Sequence, residues 1–448
     1  MQLWIEWFRG VVQLREACSR KRTFVWMCLA LVGFSIRTEL LGVSSFVRSC
    51  FLLPEKYPRL LHLFHSRALN LDKLTKLWSQ LTLKLFSPVT RQGYLLFIAD
   101  GLKVPKEGKK MPAVKVLHQE SQDNSKPAFI MGHSFQAVGI LAKGLLGGFF
   151  CVPLASRIHE GLVWSNRDKR TLLDKLVELF LSITKFFSSH KAILLADAYY
   201  ASQKVIRPLL REGHHLVTRV RTTTVAFYPA RKPKKRKRGR PKIYGKKVRL
   251  RKLWKRSGDF LTAPSPVYGE TALQIRYLSI DLLWRPIGSL VRFVLVDHPA
   301  RGRIILMTTL LSLEPLEVIE LYGYRFKIEV CFKQALHTLG TYAYHFWMMW
   351  MTPIRRRSWK QYLHHKSEKY REMVRNKIAA YHRYVQLGCI AQGLLQYLSV
   401  KFAPRVWQHF NSWMRPMNTD GSPSEMVVGQ ALRASLPTFL ATTHGDHE

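Results

Sequence analysis

LYGYRFKIEVCFKQALHTLG, Leu321 to Gly340, is the stretch that decides how the rest of the chain is read. Its apolar spacing predicts one continuous helix, with Gly340 as C-cap. It carries a single carboxylate after Leu321, Glu329, among basic and aromatic residues. Tyr322, Arg325 and Glu329 stand at i, i+3 and i+7, which puts all three on one helix face. Val330 and Phe332 add apolar bulk beside them. A carboxylate flanked by Arg and Tyr suits a metal-assisted phosphate site: the carboxylate holds a divalent cation and the basic groups hold phosphate. The same residues also read as an ordinary amphipathic helix with one i, i+4 Arg–Glu pair.

The whole chain favours the first reading. Among 448 residues, Lys and Arg number 71 against 29 Asp and Glu, a net charge of +42. Such an excess calls for a polyanionic partner, and nucleic acid is the simplest. An anionic membrane would need the charge gathered on one amphipathic or juxtamembrane segment, whereas here it runs along the whole chain. With 47% of residues hydrophobic, there is material for a sizeable core and two or three domains. Cysteines 18, 28, 50, 151, 331 and 389 show no CxxC or Cys/His spacing, so they read as free core thiols in a reducing compartment. The apolar run Phe24 to Ile36 is bounded by Arg20, Lys21, Arg22 and Arg37. It falls short of the roughly 20 residues that span a bilayer. No signal-peptide pattern is present, and the expected location is cytoplasmic, associated with the nucleoid.

Residues 1–90 read as helices separated by basic residues, an N-terminal DNA-binding domain or a plain helical packing domain. From Gly93 the pattern changes. YLLFIADG, Tyr94 to Gly101, is a buried strand expected to end on Asp100, followed by a Lys-rich loop from Lys103 to Lys115. Ala128–Ile140, which contains His133, and Leu145–Ile158 read as strands. Lys169–Phe187 is a helix with Leu172, Leu173, Leu176, Leu179 and Phe180 on its apolar face. KAILLADA, Lys191 to Ala198, repeats the first device, a buried strand ending on a lone Asp197. Ser202–Glu212 reads as a helix and Leu216–Val220 as a strand.

RKPKKRKRGRPK, Arg231 to Lys242, is almost wholly basic. Its core, Arg238-Gly239-Arg240-Pro241, matches an AT-hook, whose arginines enter the narrow minor groove of A·T-rich DNA. A basic loop that touches phosphates without reading sequence fits equally. Ala272–Leu283, Leu290–Val296 and Arg303–Thr309 read as strands. YAYHFWMMWM, Tyr342 to Met351, reads as a buried helix or as a base-stacking surface. Ser358–Val374 and Ile378–Phe402 read as helices, and the stretch from Arg415 as polar and loose.

Asp100, Asp197 and Glu329 thus occur in the order strand, strand, helix. A few converging carboxylates can hold two Mg²⁺ or Mn²⁺ ions for phosphoryl transfer. His133 is an accessory candidate or a structural histidine, Asp297 a lesser rival for Asp197, and His159-Glu160 a spare polar pair.

IADG around Asp100, GHSF around His133, LLADAYY around Asp197 and the YRFKIEVCFK helix together resemble the cut-and-paste DDE transposases of bacterial insertion sequences. The resemblance is to the hairpin-forming kind. The last motif is similar to that family's Tyr-x₂-Arg-x₃-Glu signature, met by Tyr322, Arg325 and Glu329. The family pattern places a Lys seven positions after the Glu. Leu336 stands there, and Lys333 lies one turn after Glu329.

The resemblance implies an RNase H-like α/β core, a mixed sheet flanked by helices, in two parts, 91–221 and 316–400. A helical N-terminal domain (1–90), a basic β-rich insertion (222–315) and a C-terminal tail (401–448) complete the expected organisation. It further implies catalytic and metal-binding roles for Asp100, Asp197 and Glu329, with two Mg²⁺ or Mn²⁺ ions. DNA contacts are implied for Tyr322, Arg325 and Lys333, to which Lys103, Arg238 and Arg240 are added by charge. Trp254 and Trp284 become candidates for stacking on a flipped base. The expected partners are double-stranded DNA, as terminal inverted repeats and target, and a second copy in a synaptic dimer; no membrane is expected. The rival functions are a non-catalytic or decayed transposase-derived DNA-binding protein and an RNase H-like repair nuclease.

Overall fold

The structure, a computed structural model, describes residues 2–119, 127–231, 239–410 and 417–444. The chain divides into two units. One comprises Met1–Val89, Asp100–Ser188 and Lys327–Glu448; the other comprises Thr90–Ala99 and Ser189–Phe326.

The chain begins with helices α1 (Gln2–Val12), α2 (Lys21–Ile36), α3 (Tyr57–His65) and α4 (Leu71–Leu85). Asn70 caps α4 by accepting the Lys73 N–H at 2.9 Å. Leu74, Trp78 and Leu81 of α4 are buried at helical spacing. Strand β1 (Tyr94–Pro105) then passes from the second unit into the first at Ala99–Asp100. In the first unit β2 (Phe129–Lys143) and β3 (Phe149–Ile158) form an antiparallel hairpin, from Phe135 opposite Ile158 to Lys143 opposite Phe149. Gly132 of β2 lies where a Cβ would come within 2.2 Å of the Val104 carbonyl oxygen, so only glycine admits that approach. Helix α5 (Leu172–Thr184) follows, capped reciprocally by Thr171 and Asp174.

In the second unit, β4 (Ala192–Ala196) is wholly buried, and α6 (Gln203–Arg211) connects it to β5 (His215–Val220). Leu95–Ile98 of β1 runs parallel to β4, and β4 runs parallel to β5. Continuous apolar runs are what such doubly covered parallel strands require. Antiparallel strands β6 (Val225–Pro229), β7 (Tyr244–Arg249), β8 (Gln274–Trp284), β9 (Ser289–His298) and β10 (Gly302–Thr308) follow, and β10 pairs with β5. Helix α7 (Pro315–Tyr324) closes this unit. The first unit resumes with α8 (Lys327–His337), α9 (Glu368–Lys401) and α10 (Glu425–His444). The fold is mixed α/β. A strand, an antiparallel hairpin, a helix and then two parallel strands is the succession of an RNase H-like core.

The core of the first unit is built on α9, whose residues from Ala380 to Ser399 are almost all buried. A helix buried on every side must be apolar or hydrogen-bonded throughout, and this one touches α2, α3, α4, β3 and α10. At Gly393 a Cβ would lie 2.2 Å from the Trp78 ring. Arg37 is buried against Tyr384 of the same helix, with no carboxylate partner among the described residues. Its guanidinium donates to the carbonyls of Leu339, Gly340 and Gly42, to Ser45 and to the Tyr384 hydroxyl. Those carbonyls satisfy the charge, and two of them belong to the end of α8, where Gly340 adopts φ +61°.

Five expectations are corrected. The focal stretch is two helices, not one. Gly323 sits in the last turn of α7 to admit Val267, whose Cγ1 would be 2.7 Å from a Cβ there, and glycine weakens a helix at that point. The break falls at Arg325-Phe326, so the i, i+3, i+7 face ends before Glu329. Asp100 does not end its strand: β1 continues to Pro105, and the Lys106 N–H donates to Met131 O at 2.9 Å. YAYHFWMMWM is no helix. Tyr342, Tyr344, Phe346 and Met348 are buried while His345, Trp347 and Met349 are exposed, the period of two of an extended chain. The helix read from Ser358 starts only at Glu368. The terminal stretch read as loose contains α10, whose Val427, Val428, Ala431 and Leu432 are buried against the core.

Candidate functional site

Asp197 is placed by β4. Five buried apolar residues fix that strand, and Asp197 is the first residue beyond it, half-buried. Its backbone carbonyl accepts the Thr218 hydroxyl of β5 at 2.9 Å, which pins the strand end. The Tyr322 hydroxyl of α7 lies 3.5 Å from Asp197 Oδ1. Burial pushes the Tyr322 phenol up to about 12; the Arg325 charge pulls the other way, Asp197 adds to the rise, and Arg219 opposes it. Tyr322 therefore remains a hydrogen-bond donor at physiological pH, aimed at an acidic oxygen. Arg325 also hydrogen-bonds Tyr322.

Helix α7 is held in place by its own acidic residues. Glu314 and Glu317 form a reciprocal cap, Arg91 donates to Glu320 at 2.7 Å, and the Tyr324 hydroxyl donates to the same carboxylate at 2.5 Å. Asp197, Tyr322, Arg325 and Arg219 thus form one charged cluster in the second unit. Arg219 is the member that sequence reading missed; its signal is a single basic residue at an exposed position of the otherwise buried strand His215–Val220.

Asp100 and Glu329 belong to the first unit. Asp100 is half-buried in β1, and its Oδ1 accepts the Gly101 N–H at 2.7 Å. Glu329 is exposed in the first turn of α8, where a carboxylate complements the helix dipole. The opposite face of α8, Ile328, Cys331, Phe332 and Ala335, is buried and fixes the helix. Lys333, one turn beyond Glu329, is exposed, and Leu336 is half-buried. As donors the three carboxylates suit a hard divalent cation, which takes oxygen ligands. Among the described residues no three His, Cys, Asp or Glu side chains form a set that could hold a metal ion.

The remaining candidates are spread along the fold. His133 is fully buried, with Nδ1 2.7 Å from the Tyr344 hydroxyl and Nε2 2.9 Å from Pro112 O; burial holds it neutral, down to about 3. Lys103 donates to His118 O at 2.6 Å. Trp254 lies in a 3-10 turn, not a strand, stacked on Phe260 at 5.4 Å with the Arg303 guanidinium 5.1 Å from its ring. Trp284 is 7% exposed at the end of β8. Asp297 pairs with Arg303 and Glu160 with Lys115. Arg240 is exposed, while Arg238 lies outside the described residues. Among the described residues no helix is long and apolar enough to cross a membrane.

The sequence matches the family model described as DDE superfamily endonuclease over residues 19–264, more than half of the chain. No curated protein matches it. Among solved structures it is similar to a piggyBac transposase, in a synaptic complex with hairpin DNA, at 10% identity and a TM-score of 0.36. That match covers 96% of this chain and 76% of the other. On the family match, this chain belongs to the DDE superfamily endonucleases.

Proposed function

We propose that the protein is a DNA transposase that cleaves the ends of a mobile element by phosphodiester hydrolysis and joins them to target DNA by transesterification. The observation that carries this reading is the Asp197 cluster. A carboxylate at the end of a rigid parallel strand meets the tyrosine and arginine of the Tyr-x₂-Arg motif, in a chain of the DDE endonuclease family. On this reading Asp100, Asp197 and Glu329 are the catalytic carboxylates and would hold two Mg²⁺ or Mn²⁺ ions once gathered, since among the described residues they form no metal-holding set. Such ions supply charge stabilisation to the phosphorane-like transition state.

The chain's own groups then have distinct tasks. Tyr322 donates to a phosphate oxygen, and Arg325 and Arg219 balance the charge beside the cut. Lys333, Lys103, Arg238 and Arg240 hold backbone phosphates farther along. Water attacks the phosphorus first and the 3′-oxygen leaves. The freed 3′-hydroxyl then attacks a phosphorus of the opposite strand or of the target, whose own 3′-oxygen leaves as a hydroxyl, so a hairpin end is one product of the same chemistry. Trp254 and Trp284 serve an unpaired base at that end. Residues 1–90 bind the terminal repeats, 222–315 form the insertion, and two copies act together in the cytoplasm on two element ends.

The test is cleavage of supercoiled plasmid carrying the element's ends, with Mg²⁺ or Mn²⁺ added. Asp197→Asn, Asp100→Asn and Glu329→Gln should each abolish nicking while keeping DNA affinity, since each removes a negative charge near phosphate. Nicking at the wild-type rate by any one of them removes that residue from the site. A wild-type protein that binds the ends but never cuts favours the non-catalytic reading.

A further inference from the structure

Three large side chains that a folded protein normally hides stand in the open on one segment of the first unit. Trp347 is 62%, Trp350 75% and Trp359 69% exposed. Exposed apolar area of this size marks a contact surface. The segment is anchored. Met348, Met351 and Leu363 are buried in one cluster with Val374. Backbone bonds tie Met348 N–H to Lys110 O at 2.9 Å, Ile354 N–H to Lys109 O at 2.7 Å, and Val116 N–H to Ser358 O at 2.8 Å. The alternation that buries Phe346 and Met348 turns Trp347 outward, and Trp350 and Trp359 stand exposed on the same anchored segment.

The charge between them selects the partner. Arg355, Arg356 and Arg357 are all exposed, and from Gly340 to Ser367 the chain has no Asp or Glu. Lys110 is brought beside Met349, whose carbonyl it bonds at 3.0 Å; Lys115, 5.9 Å from the Trp359 ring, is buried and neutralised by Glu160, so the free charge here is that of the three arginines and Lys110. A protein partner would match the aromatic rings but not the one-signed charge. A duplex would match the charge, yet its stacked bases present no faces to tryptophan. Unpaired nucleic acid offers both phosphates and free ring faces.

We infer that Trp347–Trp359 is a stacking platform for single-stranded DNA, such as a melted or flanking strand. This rests on the proposal that DNA is the substrate. The full chain is titrated, at physiological salt, with a fluorescent oligothymidylate and with a duplex of equal length. Trp347→Ala combined with Trp350→Ala should weaken single-strand binding at least about tenfold, given one to two lost stacking contacts, and leave duplex binding within about twofold. The Phe variants at both positions should recover most of the loss. An unchanged melting midpoint certifies the fold, and Trp359→Ala alone provides a milder second variant.

Equal loss on both DNAs, or no loss on either, overturns the inference; the first makes the segment a phosphate-binding patch only. Conversion of an oligomer to a monomer by the same variants also overturns it, making this face a contact between copies. A protein that binds no DNA sinks the transposase proposal as well, whereas one that binds duplex normally but never single strands sinks only this inference.

Discussion

Lys106 provides the sharpest physical test. It follows β1 and is 7% exposed, its ammonium donating to Tyr344 O at 3.1 Å and to Tyr342 O, and lying 3.9 Å over the Tyr344 ring. Among the described residues no carboxylate bonds it, and His133 and His345 are titratable neighbours besides the two tyrosines. Burial lowers it from 10.5 to about 7. The sign follows from proton counting. Between pH 7 and 10.5 the unfolded chain binds this proton more than the folded one, so stability from this group rises with pH. Below about 7 both forms are protonated and the full penalty remains. At about 1.4 kcal/mol per unit, the swing is on the order of 4–5 kcal/mol. Lys106→Met removes the titration but leaves two carbonyls without a donor, a cost of about 1–3 kcal/mol. Urea unfolding of both proteins at several pH values between 7 and 9 checks this, because other groups cancel in the difference. Wild type should gain on the variant by about 1 kcal/mol per pH unit. Parallel curves would falsify the reasoning: the two carbonyls and the ring would then be holding the proton against desolvation.

Other expectations are simpler. Gly393→Ala forces a methyl group into the Trp78 ring and should cost about 1–3 kcal/mol, read as a lower denaturation midpoint that Trp78→Leu partly restores. Arg37→Met strips donors from Leu339, Gly340 and Gly42, and should destabilise the first unit by about 2–4 kcal/mol in the same assay. Tyr322→Phe removes one hydroxyl 3.5 Å from Asp197, so cleavage should fall by about tenfold at most while the melting midpoint holds. A larger loss would mean that Tyr322 does more than donate one hydrogen bond.

Local signals in the sequence were enough for much of the fold. The continuous apolar runs ending near Asp100 and Asp197 gave buried parallel strands, because only strands covered on both faces tolerate such runs. Helices α1 to α5, and the strands from β8 to β10, were visible in their periods of 3.6 and 2, whereas the short helix Ser44–Ser49 was not. The Tyr-x₂-Arg spacing located Tyr322, whose hydroxyl stands 3.5 Å from Asp197, and Arg325, which bonds Tyr322, since i and i+3 share a helix face whatever follows.

What the sequence could not supply depends on contacts distant along the chain. The last turn of α7 holds a glycine because Gly323 must admit Val267, a partner 56 positions away that no local pattern encodes. The aromatic run from Tyr342 is extended because its alternate residues enter the α9 core, and propensity cannot foresee that burial. Arg219 joins Asp197 only because β5 runs parallel to β4. Arg37, read locally as the end of an apolar run, proves to be a buried tie to the carbonyls that close α8, three hundred residues on. Sequence determined which side chains carry charge and which periods they follow; tertiary packing decided which charges meet, because that depends on which strands and helices become neighbours.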